Sequence, residues 1–244
     1  MIFDCEKPAD LADIVARGAA DLGIALPPGA LTAFEKYYTF LGERGKEMNL
    51  TAINGRDDVA RLHFLDSLAL LGATSFKGAG VIDIGSGAGF PGVPLKIAEP
   101  SINLTLLDAT GKRIKFLSEL CAVLGIDAAC VHARAEDAGR EPDMRERYDI
   151  AVSRAVARMD VLCELCLPLV RVGGVFIAMK GFDSGEEIEG ATDATKALGA
   201  KLREVYDYNI PGTGIVYRAV VISKALQTPE KYPRRFARIQ KAPL

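Results

Sequence analysis

The spacing of apolar side chains divides the chain into a helical first part and an α/β second part. In residues 8–24 apolar side chains recur every three or four positions, as on one face of a helix. Pro-Pro-Gly at 27–29 breaks this pattern, and two further helical patterns run over about 31–43 and 57–71. We therefore predict a helical extension over residues 1–76.

The region from residue 77 to residue 223 alternates between short apolar runs and helical patterns. The predicted strands are 81–83, 104–108, 130–132, 148–154, 173–181, 205–210 and 215–223. A polar helix is predicted over 183–200, and Pro-Gly-Thr-Gly at 211–214 joins the last two strands as a hairpin. This order is typical of a doubly wound, mostly parallel α/β sheet with a C-terminal antiparallel hairpin. A ligand is expected at the carboxyl ends of the strands, where the strand order reverses.

A glycine-rich turn follows the first predicted strand. Residues 81–92 read Val-Ile-Asp-Ile-Gly-Ser-Gly-Ala-Gly-Phe-Pro-Gly, so a strand, a tight turn and a helix start would expose bare backbone to a ligand. Gly87, Gly89 and Gly92 also match the dinucleotide pattern G-x-G-x-x-G. Asp83 would repel a pyrophosphate but suits a cationic ligand such as S-adenosyl-L-methionine (SAM). The order D-x-G-x-G-x-G resembles the first motif of Rossmann-like methyltransferases, although an ordinary glycine-rich loop remains an alternative.

Acidic residues also end or follow the next two predicted strands. Asp108 lies 23 residues beyond Gly85, close to the roughly 20 residues at which a second-strand acid reaches ribose hydroxyls. Its alternative role is to cap the following helix. The third strand leads into Ala135 and Glu136, which the same topology places beside an adenine. These positions predict a nucleoside-shaped site along three neighbouring strands.

Composition narrows the class of protein. The chain of 244 residues is 49% hydrophobic and 25% charged, as is usual for globular proteins. No apolar run approaches the ~18 residues of a membrane span, and the N-terminal residues lack the pattern of a signal peptide, so we expect a cytoplasmic protein. Cys163 and Cys166 lie inside a helical apolar pattern, with no second cysteine pair at zinc-site spacing. We therefore predict core packing for this pair, with a redox role as the alternative, and no metal site.

The C-terminal tail, residues 224–244, is basic although the whole chain has a net charge of −2. It contains six basic residues and one acidic residue, hence a charge of +5. A basic segment on a mildly acidic body is typical of phosphate contacts, and the alternative is a solvated tail. Tyr232 and Phe236 favour packing on the body or stacking on bases over a purely solvating role.

Taken together, the motifs resemble the bacterial small-subunit ribosomal RNA methyltransferase G family, also called glucose-inhibited division protein B. The resemblance spans roughly residues 34–244 and rests on four blocks: Asn49-Leu50-Thr51-Ala52-Ile53, His63-Phe64-Leu65-Asp66-Ser67-Leu68, residues 83–92, and Ser153-Arg154-Ala155-Val156-Ala157. Leu107-Asp108 with Lys112-Arg113, residues 228–235 and residues 241–244 agree as well. One departure is Phe236-Ala237, where the family tail commonly has Ala-Gly.

The resemblance implies a Rossmann-like class I SAM-dependent methyltransferase that methylates N7 of a guanine in the 530 loop of 16S ribosomal RNA. The expected cofactor-binding residues are Asp83, Gly85, Gly87, Gly89, Phe90, Asp108, Ala109, Thr110, Ala135, Glu136 and Arg154. The expected partner is 16S rRNA or the small ribosomal subunit, with no membrane and no metal, and nothing in the sequence demands more than a monomer.

Arg154, at the end of the fourth predicted strand, is the predicted catalytic residue. The resemblance implies that it faces the cofactor and the target base. Guanine N7 carries a lone pair and no proton, so its methylation needs positioning and electrostatics but no general base. The chain accordingly lacks the Asn/Asp-Pro-Pro-Tyr/Phe motif and a Pro-Cys nucleophile. Arg154 would engage guanine O6 or a phosphate. Its alternative is an ion pair with Glu136 or Asp137.

A rim of basic side chains is predicted to contact RNA phosphates. Its members are Lys112, Arg113, Lys115, Arg158, Lys180, Arg234 and Arg235. Three other functions stay open: methylation of another RNA site, a small molecule or a protein; an NAD-dependent oxidoreductase; and a ribosome-binding factor that holds SAM without turnover. No role is assigned to His63, which suits a hydrogen-bonded helix histidine.

Overall fold

A computed structural model describes residues 10–44, 53, 55–154 and 156–244. In these residues seven strands form one sheet, in the order β3-β2-β1-β4-β5-β7-β6. The strands are β1 Gly80–Ile84, β2 Asn103–Asp108, β3 Ala128–His132, β4 Tyr148–Arg154, β5 Val170–Gly181, β6 Ala200–Asn209 and β7 Val216–Lys224. Strands β1 to β5 are parallel, whereas β7 pairs antiparallel with both β5 and β6. The predicted mostly parallel sheet with a C-terminal antiparallel hairpin is confirmed.

Helices precede the sheet and connect its strands. They are α1 Leu11–Asp21, α2 Ala30–Arg44, α3 Arg56–Val59, α4 Asp66–Leu68, α5 Gly92–Ala98, α6 Gly111–Leu124, α7 Ala135–Ala138, α8 Met159–Cys166, α9 Gly185–Gly190, α10 Thr192–Ala197 and α11 Phe236–Lys241. A π-helical segment, Ala60–Leu65, joins α3 to α4, and 3₁₀ turns cover Ala69–Gly72 and Leu167–Leu169.

The two faces of the sheet carry separate apolar cores. Successive residues of a strand point to opposite faces, and Val81 of β1 belongs to one buried cluster while Ile82 belongs to the other. The first cluster also contains Leu11 of α1 and Phe34 of α2, so the N-terminal helices share a core with the sheet. The second contains the buried face of α8. The division of the chain at residues 76 and 223 stays a prediction.

Several predicted elements differ from the structure in their extent. The helix expected over about 57–71 is helical throughout but changes from α to π to α to 3₁₀ geometry. The helix expected over 183–200 consists of α9 and α10, and its last residue, Ala200, begins β6. Pairing with β7 extends this edge strand from its predicted start at 205 back through residues 201–204, to which the apolar pattern assigned no element. Among the described residues, no helix has the length and apolar content that crossing a bilayer requires.

The strand order reverses between β1 and β4, which are adjacent in the sheet although β2 and β3 separate them in sequence. In open α/β sheets the crevice at such a reversal is the usual ligand site, at the carboxyl ends of the strands. The glycine turn follows β1 and Arg154 ends β4. Both predicted motifs therefore lie at this crevice. Residues 49–52 and Ala155, which belong to the predicted motif blocks, lie outside the described residues.

Candidate active site

The glycine turn after β1 adopts a backbone that favours glycine. Gly85, Gly87 and Gly89 have φ angles of 73°, 57° and 102°, in a region that other residues rarely enter. A Cβ at Gly89 would lie 2.6 Å from Tyr37 Oη and 2.9 Å from Val93 Cγ2. The turn therefore runs close to its neighbours on one side and keeps its backbone bare, as a ligand cradle requires.

Asp83 is fully buried beneath this turn. Its Oδ2 accepts a 2.8 Å hydrogen bond from the Gly92 N–H at the start of α5, while Oδ1 has no partner among the described residues. Burial raises the pKa of this carboxyl to about 7, against smaller lowering effects of the Gly92 N–H and Arg154. A buried acceptor without a donor is costly. The unpartnered oxygen therefore fits a ligand that carries a donor, such as an ammonium group.

Asp108 ties the end of β2 to both neighbouring turns. Its Oδ2 accepts from the Gly87 N–H at 3.1 Å, and its Oδ1 accepts from the Thr110 N–H at 2.8 Å. Arg113 Nη1 lies 3.4 Å from Oδ2. The N-cap residue of α6 is Thr110, so Asp108 binds the residue before the helix and is not itself the cap that the alternative predicted. Oδ1 accepts only one hydrogen bond among the described residues, so it can accept a second one from a ligand hydroxyl.

A cavity of about 140 Å³, the β2 cavity, opens beside Asp108. Its lining brings together Gly85, Asp108, Ala109, Ala135 and Glu136, as the sequence predicts, with Ile84, Leu107, Ala133, Arg134, Val156, Leu165 and Phe236. Phe236 comes from the C-terminal tail and Leu165 from α8, and no motif marked either as a ligand contact. The predicted ribose and adenine residues therefore face one cavity with a largely apolar outer side.

A larger cavity of about 410 Å³, the β4 cavity, lies beside Arg154. It is lined by Ile53, Leu62, His63, Asp66, Arg154, Met179, Lys180, Gly181, Tyr208 and Tyr217. These residues come from the N-terminal helical part, from the ends of β4 and β5, and from the C-terminal hairpin. Its volume lies within the roughly 300–1,000 Å³ that is usual for small-molecule sites.

Arg154 is fixed by three hydrogen bonds at the mouth of β4. Its Nη1 donates to Asp66 Oδ2 at 3.0 Å and to the Leu62 carbonyl at 3.1 Å, and its Nη2 lies 3.1 Å from His63 Nδ1. The guanidinium carbon sits 4.9 Å from the centre of the Phe90 ring. Its ion-pair partner in the structure is Asp66, so the alternative of an ion pair with Glu136 or Asp137 is wrong.

Asp66 and His63 are the functional candidates that motif analysis missed. Asp66 is 4% exposed and accepts a second hydrogen bond, at 2.8 Å, from the Tyr208 hydroxyl. Burial raises its pKa, while Arg154 and Tyr208 act in the opposite direction. The His63 ring stacks on Phe90 at a centroid distance of 4.4 Å. Burial, together with Arg154, lowers the pKa of His63 to about 3, so its ring is neutral at physiological pH.

His63 lies in the π-helical segment Ala60–Leu65, a geometry that is frequent at functional sites. The sequence signal for both residues was the block His63–Leu68, which carried the family resemblance without an assigned role.

The predicted RNA-contacting residues fall into two groups. Five are exposed: Lys112, Arg113 and Lys115 at the start of α6, Arg158 before α8, and Arg235 before α11. Two of these five also lie near a carboxylate, since Arg113 is 3.4 Å from Asp108 and Arg158 is 3.4 Å from Asp160. The other two are less exposed and bind carboxylates at shorter distances. Lys180 Nζ lies 2.6 Å from Glu187 Oε1, and Arg234 Nη2 lies 2.6 Å from Glu164 Oε2. In the described part of the chain, no group of three or more His, Cys, Asp or Glu side chains is placed to hold a metal ion.

Comparison with known proteins gives one consistent family for the chain. The family model described as rRNA small subunit methyltransferase G, short name GidB, matches residues 30–212. A ribosomal RNA small subunit methyltransferase G of Pelotomaculum thermopropionicum is 47% identical over 236 residues, which cover 96% of this chain and 99% of the relative. The enzyme of the same name from Acetivibrio thermocellus is 44% identical over 240 residues, covering 98% and 99%.

Solved methyltransferase structures have a similar fold. A methyltransferase from Pyrococcus furiosus superposes with a TM-score of 0.51 at 12% identity, covering 64% of this chain and 80% of that chain. The ribosomal protein L11 methylase of Lactobacillus delbrueckii subsp. bulgaricus gives a TM-score of 0.50 at 16% identity, covering 68% and 79%. The sheet described above is therefore the fold of these methyltransferases.

Proposed function

The chain belongs to the rRNA small subunit methyltransferase G family, and on this premise we propose that it transfers a methyl group from SAM to N7 of a guanine in the 530 loop of 16S rRNA. The observation that carries the proposal is the pairing of two cavities along one edge of the sheet. The β2 cavity and the glycine turn have the chemistry of a cofactor site, and the β4 cavity has the size and lining of a base site.

The predicted cofactor residues would hold different parts of SAM. The unpartnered oxygen of Asp83 suits the amino group, and the bare turn at Gly85–Gly89 suits the methionine part. Asp108 suits the ribose hydroxyls, and Ala135 with Glu136 suits the adenine edge. When bound, SAM supplies an electrophilic methyl group on a positively charged sulfur.

The β4 cavity suits a guanine that has left its base stack. Its walls combine flat or apolar side chains, among them Leu62, Met179 and Tyr217, with the polar groups of Arg154 and Tyr208. An enzyme that modifies a base must take it from the stack or act on single-stranded RNA. Three of the five N–H groups of the Arg154 guanidinium bind described residues. Two donors remain to bind guanine O6 or a phosphate oxygen.

The chemistry requires charge control but no proton transfer. The N7 lone pair forms the new N–C bond in line as the C–S bond breaks, and the positive charge passes from the sulfur to the guanine ring. Arg154 would oppose this charge if it were unpaired. Asp66 and the neutral ring of His63 hold the guanidinium, and the Asp66 carboxylate offsets its charge. The enzyme therefore positions the base without repelling the product cation.

Methyl transfer from labelled SAM to small ribosomal subunits that lack the modification tests this proposal. We expect label on guanine N7 in the 530 loop, mapped by cleavage at the modified nucleotide. Label at another guanine or another atom would refute the position while keeping the reaction class. Binding of S-adenosylhomocysteine without any labelled RNA would refute the rRNA methyltransferase assignment and favour a factor that holds SAM without turnover.

A further inference from the structure

We infer that the C-terminal tail forms the outer wall of the cofactor site, with Phe236 packing against the adenosine part of SAM. This inference rests on the proposed function, because it concerns the cofactor of that reaction. Phe236 is half-buried and lines the β2 cavity together with Val156 and Leu165. The remaining sides carry Asp108 and Glu136, the groups suited to the ribose and the adenine edge.

Phe236 separates two spaces. On one side lies the β2 cavity, and on the other lies a cleft of about 660 Å³ that reaches the C-terminal residue Leu244. Val156 borders both spaces with Phe236. Removing the phenyl ring would therefore join the cofactor cavity to an open cleft and admit water beside the bound base.

Buried charge fixes the tail immediately before Phe236. Glu164 of α8 is fully buried, and its carboxylate binds Arg234 through four contacts. The Arg234 backbone N–H and Nε donate to Oε1 at 2.7 and 2.9 Å, and Nε and Nη2 lie 3.1 and 2.6 Å from Oε2. A buried carboxylate is costly without a cation. The pair therefore holds the backbone two residues from Phe236 in one place.

A second set of contacts clamps the earlier part of the tail. Arg145 Nη2 donates to the Thr228 carbonyl at 2.7 Å, and Arg145 Nη1 donates to the Tyr232 carbonyl at 2.9 Å. Arg140 donates to the Pro233 carbonyl. Lys224 is buried, with its Nζ 2.7 Å from Thr228 Oγ1. Because cations of the body hold the tail's own carbonyls, the segment is built into the enzyme.

These contacts change the expected role of the tail charge. Lys224 pairs with Glu146 at 3.0 Å and Arg234 pairs with Glu164, so two of the six basic residues are compensated inside the protein. The ring of Phe236 faces a cavity suited to a flat nucleoside, and aromatic side chains bind bases through their faces. The geometry therefore assigns this part of the tail to the cofactor.

Calorimetric titration of the full-length protein with S-adenosylhomocysteine tests the inference. Phe236→Ala should raise the dissociation constant about tenfold. Phe236→Tyr keeps the ring and should bind close to the wild type. The affinity of Phe236→Ala for adenosine alone should fall by the same factor, because Phe236 contacts only the adenosine part of the ligand. Leu226→Ala is the matched control, since Leu226 is a tail residue that is 69% exposed and lies outside the cavity.

Weakening the Glu164–Arg234 ion pair, with Phe236 itself unchanged, gives an independent test. Glu164→Gln removes the charge that holds Arg234, so it should weaken binding of S-adenosylhomocysteine while thermal unfolding still shows a folded protein. If Phe236→Ala unfolds the chain, Phe236→Leu replaces it and should give a smaller loss in the same direction.

The possible failures are distinguishable. Unchanged binding of S-adenosylhomocysteine by folded Phe236→Ala or Phe236→Leu would overturn the inference. So would a variant that loses affinity for a 530-loop RNA fragment in filter binding while it binds S-adenosylhomocysteine normally. A wild-type protein that does not bind S-adenosylhomocysteine would instead overturn the proposed function.

Discussion

Acidification should weaken cofactor binding, because Asp83 takes up a proton near neutral pH. Burial raises the pKa of this carboxyl from 3.8 to about 7, while Gly92 and Arg154 lower it and Asp108 raises it further. The ionised form suits the ammonium group of S-adenosylhomocysteine, which stays protonated below pH 7. The apparent dissociation constant should then approach a tenfold rise per pH unit below 7, hence about 50-fold between pH 7 and pH 5, because half of the carboxyl is already protonated at pH 7.

The same pKa has an opposite consequence for the free protein. Between pH 3.8 and about 7 the folded state holds a proton that the unfolded chain has lost, so the free energy of unfolding falls as pH rises. Above pH 7 the folded state contains a buried, ionised Asp83, which lowers the free energy of unfolding by on the order of 4 kcal/mol at 1.36 kcal/mol per pKa unit. Asp83→Asn removes it while its carbonyl can still accept from Gly92. An unpaired amide N–H costs about 1–3 kcal/mol, so we expect a net gain of about 1–3 kcal/mol at pH 8 and no gain at pH 4.

Two measurements check this reasoning. Titration calorimetry of S-adenosylhomocysteine from pH 5 to pH 7.5 should show the slope in the wild type and a flat, weak response in Asp83→Asn. Urea unfolding at pH 4 and pH 8 should show stabilisation of the variant only at the higher pH. Asp137→Asn changes an exposed carboxyl close to the same site and serves as control. A pH-independent dissociation constant for the wild type would refute the assignment of the ammonium group to Asp83.

Three further predictions concern the turn, the base site and the tail. Arg154→Ala should lower kcat by about 10²–10³-fold in the labelled methyl-transfer assay while circular dichroism stays unchanged, and near-normal turnover would exclude the catalytic role. Gly89→Ala should lower the free energy of unfolding by about 1–3 kcal/mol, because φ at this position is 102° and the added Cβ would meet Tyr37 Oη. An unchanged midpoint of urea unfolding would contradict this. Arg235→Glu should weaken RNA binding and reduce by about 1 the slope of the logarithm of the binding constant against the logarithm of the salt concentration. Arg234→Glu should instead lower thermal stability. An unchanged slope in Arg235→Glu would show that Arg235 does not contact RNA.

The central strands were predictable because they are buried on both faces. Val81-Ile82 and Leu106-Leu107 form continuous apolar runs, and each strand has an acid at or next to its end, Asp83 in β1 and Asp108 in β2. The glycine turn marked where the first strand ends and the next helix begins, because a D-x-G-x-G-x-G order indicates a ligand site only between a strand and a helix. The parallel order and the reversal between β1 and β4 then follow from topology.

Edge elements were harder because their patterns are weaker. Strand β6 has exposed side chains from Lys201 to Val205, so its sequence lacks the alternation of a half-buried strand. These residues form a strand because they are hydrogen-bonded to β7, and a local sequence pattern cannot predict this pairing. The same difficulty applies to β3, whose residues are at most half-buried and which begins at Ala128, two residues before its predicted start.

The two halves of the site differ in how far the sequence reveals them. The predicted cofactor residues lie in short segments next to strand ends, where topology alone brings Gly85, Asp108 and Glu136 together. The base site depends on pairs that are distant in sequence. Arg154 meets Asp66 across 88 residues, and Tyr208 meets Asp66 across 142. Such contacts require the packed N-terminal helices and the hairpin to be in place.

This difference has a functional consequence for Arg154. A strand-end arginine identified from sequence alone is a free cation, which would attract phosphate and repel a methylated, positively charged guanine. In the structure it is the half-buried member of an ion pair with Asp66, with its guanidinium carbon over the Phe90 ring and its Nη2 hydrogen-bonded to the neutral His63. Because Asp66 cancels its charge and fixes its plane, the remaining N–H groups of Arg154 act as oriented donors. The N-terminal helices therefore determine whether this arginine attracts phosphate or positions a base.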